Sequence, residues 1–458
     1  MDEAPGPLFT FGVIADIQYA DKDDGYNYVQ TRVRYYRSSL SLLQDATREW
    51  ASENAPPAFI LQLGDIIDGF NVPLEASESS LTKVLAEFEK LKIPVHHIWG
   101  NHEFYNFSRK QLMESKLNSM QLGDPWVTSP GGRHDPRVTS PGGRHDPRVT
   151  SPGGRHDPRV TSPGGRHDPR VTSPGGRHDP RVTSPGGRHD PRVTSPGGRH
   201  DPRVTSPGGR HDPRVTSPGG RHDPRVTSPG GRHDPRVTSP GGRHDPWVTS
   251  PGDPESFYAY HFSPFPKFRI LLIDSYDFSV IGRDSSSHKY VKSLKVLKQK
   301  NKNADLNSPT DLDDPQFVQF NGGISGDQLD WIDVILQSSD INGEKVMVAG
   351  HLPIFPPSTD PICLTWNYKE VLSMLQAHPS VVAYFSGHDH DGGYSRDPHG
   401  IHHITFHGII ETPPDSRAFS TMEIYEDRME LRGRGLVPHR TLIYRKNQDT
   451  DPQMTQTQ

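Results

Sequence analysis

The chain has 458 residues, with 51 Lys and Arg against 56 Asp and Glu, and a single cysteine, Cys363. No apolar run approaches the roughly 20 residues that a membrane-spanning helix needs, and no basic segment precedes the first apolar run, so neither a membrane span nor a secretory leader is expected. One thiol excludes an intrachain disulfide, and a cytoplasmic protein, with a monomer as its assembly, is the expectation.

The near-balance of charge hides two unlike parts. The unit VTSPGGRHDPR repeats eleven times from Val127 to Trp247 and carries 21 Arg against 11 Asp, which leaves 30 basic and 45 acidic residues elsewhere. An acidic body argues against specific nucleic-acid binding, because phosphate would be repelled.

In chain order, apolar runs end repeatedly in small and ionisable residues. A strand over Phe9–Ala15 leads to Asp16-Ile17-Gln18, and a helix follows over Arg32–Trp50. The strand Ala58–Gly64 leads to Asp65-Ile66-Ile67-Asp68, and Leu74–Leu91 reads as a second amphipathic helix. The strand Pro94–Trp99 leads to Gly100-Asn101-His102-Glu103, followed by the aromatics Phe104, Tyr105 and Phe107.

The repeat comes next. Two prolines and two glycines per unit exclude a helix, and one valine per unit cannot offset the entropy of ordering eleven residues. A disordered insertion with recurrent turns is expected. Weak metal scavenging by its histidines, or loose anion binding by its arginines, are the sharper alternatives. Lengthening a surface loop to this extent costs only about 2 kcal/mol of closure entropy.

Beyond it, Ser287–Gln299 and Ser325–Gln337 read as helices, with a Phe320-Asn321-Gly322-Gly323 turn between them whose amides are candidates to meet phosphate. The strand Lys345–Ala349 leads to Gly350-His351, and Asn367–Ala377 reads as a helix. The strand Val381–Ser386 leads to Gly387-His388-Asp389-His390, and Ile401–Ile410, Phe419–Tyr425 and Arg428–Arg434 read as an antiparallel series. The expected fold class is therefore α/β with mixed sheets. Its parts are 1–122, the insertion 123–253, a second part 254–446, and a polar tail 447–458.

Ligands of such folds sit beyond the strand ends. The groups delivered there are Asp16, Gln18, Asp65, Asn101, His351, His388 and His390. Singly, each has a bland reading as a turn or a cap. Together they are too many for one ion and suit two ions sharing a carboxylate. Oxygen and imidazole donors without thiolate favour Mn²⁺- or Fe²⁺-like ions over structural Zn²⁺.

The five blocks, in this order, resemble the calcineurin-like metallophosphoesterase superfamily pattern D-x-H, G-D-x-x-D, G-N-H-[DE], a strand-end His, and G-H-x-H. The segments GVIADIQYADKDDGYNY, LQLGDIIDGFN, PVHHIWGNHEFYNFSR, PQFVQFNGG and GHDHDGGYS resemble the manganese-dependent ADP-ribose/CDP-alcohol diphosphatase family more closely still. That resemblance implies a four-layer α/β/β/α sandwich, interrupted here by the repeat. It implies hydrolysis of nucleoside diphosphate compounds such as ADP-ribose and CDP-choline by a hydroxide shared between two ions, most readily Mn²⁺. Asp16, Gln18, Asp65 and His390 would hold one ion; Asp65, Asn101, His351 and His388 the other. His102 matches the superfamily's catalytic histidine and Asp68 its orienting carboxylate.

Gln18 stands where most of the superfamily has His, and Gly69 where its protein phosphatases have Arg. Both departures agree with the diphosphatase family, and the missing Arg disfavours a phosphoprotein substrate. Phe104, Tyr105, Phe107, Trp366 and Tyr368 are candidates to stack on a nucleobase or to pack in the core. A cyclic-nucleotide phosphodiesterase or broad phosphomonoesterase is the rival within enzymes, and a scaffold binding partners through the repeat is the rival outside them.

Overall fold

The computed structural model describes residues 6–27, 29–53, 56–122, short stretches between 137 and 249, and 257–445. Packing divides the chain into two units, one formed by Met1–Pro125 with Phe257–Gln458 and the other by Trp126–Ser256.

The first unit holds two six-stranded mixed sheets. Strand β1 (Phe9–Ile14) is buried along nearly its whole length, which explains an apolar run without alternation. Helix α1 (Ser38–Ser52) leads to β2 (Ile60–Gln62), and α2 (Ser77–Glu89) to β3 (Val95–His97). These two crossovers make β1, β2 and β3 parallel neighbours. Helix α1 starts later than the periodicity predicts, because Val33–Arg34 pairs with Gly25–Tyr26 as a small hairpin ahead of it. The short helix α3 (Asn101–Asn106) follows β3 directly.

After the repeat come β4 (Tyr260–Phe265), β5 (Phe268–Leu272), α4 (His288–Lys300), α5 (Gly326–Asn342), β6 (Lys345–Ala349), α6 (Tyr368–Gln376) and β7 (Val381–Ser386). Then β8 (Gly393–Arg396), β9 (His402–Thr405), β10 (Ala418–Ile424), β11 (Arg428–Gly435) and β12 (Arg440–Ile443) complete the unit. One sheet runs β12-β11-β10-β1-β2-β3 and the other β4-β5-β6-β7-β9-β8.

The antiparallel series predicted for the C-terminal part is corrected in one respect. Strands β10 to β12 do form it, but β9 joins the other sheet, parallel to β7. Strands β4, β5, β8 and β12 escaped the sequence reading, being short runs broken by prolines, charges or a tight turn.

The core lies between the sheets, where Phe11 and Phe385, and Phe59 and Phe262, meet across the interface at ring distances of 6.3 and 5.0 Å. On the outer face of the first sheet, Trp50 of α1 is fully buried and lies edge-on to Phe419. The two polypeptide stretches that flank the repeat are pinned to each other: the Tyr258 hydroxyl accepts from the Ser119 amide at 3.0 Å, and its ring stacks on Trp99 at 3.8 Å.

The described residues of the repeat are short strands. Arg-Val-Thr strands such as Arg137–Thr139 and Arg159–Thr161, and Arg-His strands such as Arg144–His145 and Arg166–His167, pair in parallel with the copy two units along. Identical units stack like on like. The remainder of the repeat, and the polar tail expected at 447–458, lie outside the described residues.

Candidate metal centre

The two sheets bring their strand ends to one place. Beyond β1, β2 and β7 the backbone turns sharply, and Asp16, Gln18, Asp65 and His388 all have left-handed φ values, of 51°, 44°, 56° and 70°. Non-glycine residues rarely hold this conformation, and strain of this kind clusters at functional sites. Glu103 of α3 stabilises the turn at Asp65: its carboxylate accepts from the amides of Asp65, Ile66 and Gly100 at 2.8, 2.7 and 2.6 Å. Gly100 is required for a different reason, since a Cβ there would collide with the Asp65 carboxylate.

The sheets are tied together at this point by the site residues themselves. The Asp16 carboxylate accepts from the His388 amide at 3.1 Å, and the His351 Nδ1–H donates to the Leu63 carbonyl at 2.8 Å.

Asp65, His351 and His388 each turn one donor atom to a common point, all within 4.8 Å of one another. Asp16, Gln18 and His390 form an adjoining group: His390 Nε2 lies 3.5 Å from Asp16 Oδ1 and 2.9 Å from Gln18 Nε2. Gln18 Nε2 in turn reaches Asp65 Oδ2 at 3.3 Å, which joins the two groups through that carboxylate. Asn101, at the start of α3, stands alongside, with its Oδ1 accepting from the Tyr276 hydroxyl at 3.1 Å. All seven sequence-predicted ligands are thus at the adjoining strand ends, drawn from both sheets. One differs in detail, because Gln18 turns its amide nitrogen inward and leaves Oε1 buried with no hydrogen-bond partner among the described residues. Half a turn about its last torsion exchanges the two atoms.

The donor set fits divalent cations. Each imidazole has one nitrogen tied to an oxygen outside the cluster: His351 to Leu63 O, His388 Nε2 to Asn321 Oδ1 at 2.9 Å, and His390 Nδ1 to Glu411 Oε1 at 2.8 Å. The other nitrogen of each is left facing inward, the arrangement of metal-ligating histidines. Electrostatics agree. Burial opposes charge on His351 and His390, yet the Asp65 and Asp16 carboxylates raise their pKa values to about 9 and about 10. Burial likewise opposes charge on Asp65, while His351 and His102 hold its carboxyl well below the usual range. The carboxylates therefore call for positive charge, which a divalent cation also supplies.

His102 and Asp68 adjoin this cluster. The Gly69 amide donates to His102 Nδ1 at 2.9 Å, so a neutral ring carries its proton on Nε2, which lies 4.0 Å from Asp65 Oδ2. Asp68 Oδ2 lies 3.4 Å from His102 Nδ1 and has no hydrogen-bond partner among the described residues, while Oδ1 caps the Phe70 amide.

The sequence of the family model described as "Calcineurin-like phosphoesterase" matches residues 9–158. A protein of Xenopus tropicalis named manganese-dependent ADP-ribose/CDP-alcohol diphosphatase is 46% identical over 96% of this chain and 95% of its own length. The human protein of the same name is 39% identical over 97% of this chain and 98% of its own. The chain belongs to the manganese-dependent ADP-ribose/CDP-alcohol diphosphatase family. A crystal structure of a dimetal phosphatase from Danio rerio, 37% identical, superposes with a TM-score of 0.66 over 96% of this chain and 100% of that one.

Within this family fold, several residues of the site carry no sequence signal of their role. Glu411 follows an apolar run, and only the tertiary structure brings it to His390 and, at 3.2 Å, to Arg34. Tyr276 and Asn321 are likewise long-range partners; Asn321 was legible only as part of a turn. Two amides of that turn are committed, Asn321 N to Val318 O and Gly323 N to Phe278 O. Of the aromatics, Phe104, Phe107 and Trp366 are buried in the packing. Tyr105 alone of the three near His102 remains exposed, edge-on to its ring at 5.1 Å, and Tyr368 is half-buried.

Proposed function

We propose that this chain is a Mn²⁺-dependent diphosphatase that hydrolyses ADP-ribose and CDP-alcohols to a nucleoside monophosphate and a phosphate monoester. The observation that carries this reading is the inward-facing set of Asp16, Asp65, His351, His388 and His390, whose imidazoles are each oriented by a committed second nitrogen. Family membership supplies the substrate class, and the oxygen and nitrogen donors suit Mn²⁺. Asp16, Gln18, Asp65 and His390 are assigned to one ion and Asp65, Asn101, His351 and His388 to the other.

Bound there, two such ions lower the pKa of water and neutralise charge on phosphoryl oxygens. The residues of the chain do the rest. The strained turns at Asp16 and Asp65 and the Glu103 brace keep the donors in place without reorganisation. Once doubly protonated, with Nδ1–H turned to Asp68, His102 delivers the Nε2 proton to the oxygen that departs with the second phosphate and is left as the neutral ring.

Packing of α1 against the first sheet and of α5 against β6 supports the finer, four-layer description of the fold. Among the described residues no helix is long and apolar enough to cross a membrane. A cytoplasmic monomer acting on small molecules rather than nucleic acid completes the proposal, resting on the acidic body and the lone Cys363.

The test is product analysis with ADP-ribose, CDP-choline and p-nitrophenyl phosphate on chelator-stripped protein, before and after Mn²⁺ is restored. AMP with ribose 5-phosphate, and CMP with phosphocholine, appearing only with Mn²⁺ is the expected result. Turnover of p-nitrophenyl phosphate alone would point to the monoesterase, and no turnover at all to a scaffold.

A further inference from the structure

We infer that Asn321 is the positioning residue that sets the tautomer of His388, so that Nδ1 is the ring nitrogen offered to a cation. This rests on the dimetal reading above and deepens it.

The side chain of Asn321 is fully buried, and its orientation is settled by what surrounds it. Nδ2 donates towards three carbonyls, Gln316 O at 3.0 Å, Ile362 O at 2.6 Å and Leu364 O at 3.3 Å. Carbonyl oxygens only accept, so exchanging the amide atoms would set oxygen against oxygen and strand the NH₂ group. Oδ1 must therefore be the atom that meets His388 Nε2 at 2.9 Å. An amide oxygen also only accepts, and Nε2 must carry hydrogen. A neutral imidazole has one N–H, which leaves His388 Nδ1 bare.

That bare nitrogen lies 3.2 Å from His351 Nε2, whose own ring has its N–H committed to the Leu63 carbonyl. The contact needs positive charge between or beside the two nitrogens, supplied by a proton on His351 Nε2 or, in its place, by a cation. The turn that carries Asn321 also secures the loop it grips, since the Trp366 amide donates to the Gly322 carbonyl at 2.8 Å. The Phe320-Asn321-Gly322-Gly323 segment thus acts on the centre through a side chain.

Two variants separate positioning from loop support. Asn321→Leu removes the acceptor and the donor together. Asn321→Asp keeps an acceptor towards Nε2 but cannot donate to the three carbonyls. Both are stripped with chelator, then followed by thermal unfolding and by calorimetric titration with Mn²⁺. Asn321→Leu should weaken Mn²⁺ binding about 10- to 100-fold, the usual cost of losing such a partner. Asn321→Asp should melt earlier than the wild type yet bind Mn²⁺ within about threefold of it, because a carboxylate behind a ligating imidazole is a good substitute. Unchanged Mn²⁺ affinity in Asn321→Leu overturns the inference, as does an equal loss in both variants, which would mark a purely structural role. Should a variant fail to fold, ¹⁵N shifts of histidine-labelled, metal-free wild type decide the matter: His388 must show hydrogen on Nε2, and the opposite tautomer refutes the idea. Wild-type protein that takes up no Mn²⁺ would instead remove the dimetal reading on which this one stands.

Discussion

At the scale of single residues, His102 shows how a neighbouring amide fixes a chemical role. Donation from Gly69 N to Nδ1 keeps the proton of the neutral ring on Nε2, towards the cluster. A departing phosphate monoester, with a second pKa near 6, needs that proton less than a departing alkoxide does. We therefore expect His102→Ala to lower kcat/KM for an alkyl phosphate by about 10²-fold or more, the lower end of general-acid contributions. Diphosphate cleavage should fall by less than about tenfold. Parallel steady-state assays on the two substrates check this, and equal losses would argue that His102 serves binding or the ligand frame. The type and place of this histidine were legible in the Gly100-Asn101-His102-Glu103 block. Its proton inventory was not, because Gly69 lies 33 positions away.

At the scale of elements, helix α1 buries Leu42, Leu43, Ala46 and Trp50, of which Trp50 is the largest. Trp50 is fully buried against Phe419, and its indole nitrogen has no hydrogen-bond partner among the described residues. Trp50→Ala should cost about 3–5 kcal/mol in urea unfolding, the range for emptying such a site. Trp50→Phe should cost clearly less, since the lost N–H was unpaired.

A second element-scale contact is sensitive to pH. His378, between α6 and β7, is flanked by Asp340 at 2.7 Å and Asp333 at 3.1 Å, both on α5. Burial lowers its pKa, but hydrogen bonds and charge from Asp340 and Asp333 win, and the net shift is upward. A raised folded-state value contributes stability fully present below the unfolded value of about 6.5. It is lost as pH rises through the higher folded value. The stability advantage of the wild type over His378→Gln, from urea midpoints at a series of pH values, should be largest below about pH 6 and shrink on the alkaline side. A difference that grows with pH would contradict the assignment. The helices and the three parallel strands before the repeat were legible because their apolar patterns are local. The placement of β9 in the other sheet was not, since strand partners leave no mark in a single segment's pattern.

For the whole molecule, the repeat is an insertion between two halves of one site. The candidate donors run from Asp16 to Asn101 before it and from His351 to His390 after it. Its flanks close on each other through Ser119 and Tyr258. Deleting Val127–Trp247 should leave Mn²⁺-dependent kcat/KM within about twofold and the thermal midpoint unlowered, as loop-closure entropy favours the shorter connection. A loss of activity in a folded deletion variant would show that the repeat reaches the site after all.

The sequence by itself determined the chemistry: which donor types exist, that they follow buried strands, and that no thiolate joins them. These are local facts, carried by side-chain identity and the period of the apolar pattern. Only the tertiary structure decided how those donors are held. The left-handed turns at Asp16 and Asp65, the partners Glu411 and Asn321 behind the imidazoles, and the inward nitrogen of each histidine depend on groups tens to hundreds of positions apart. Hydrogen bonds over such separations form only once the two sheets have packed, and no single stretch of the chain records them.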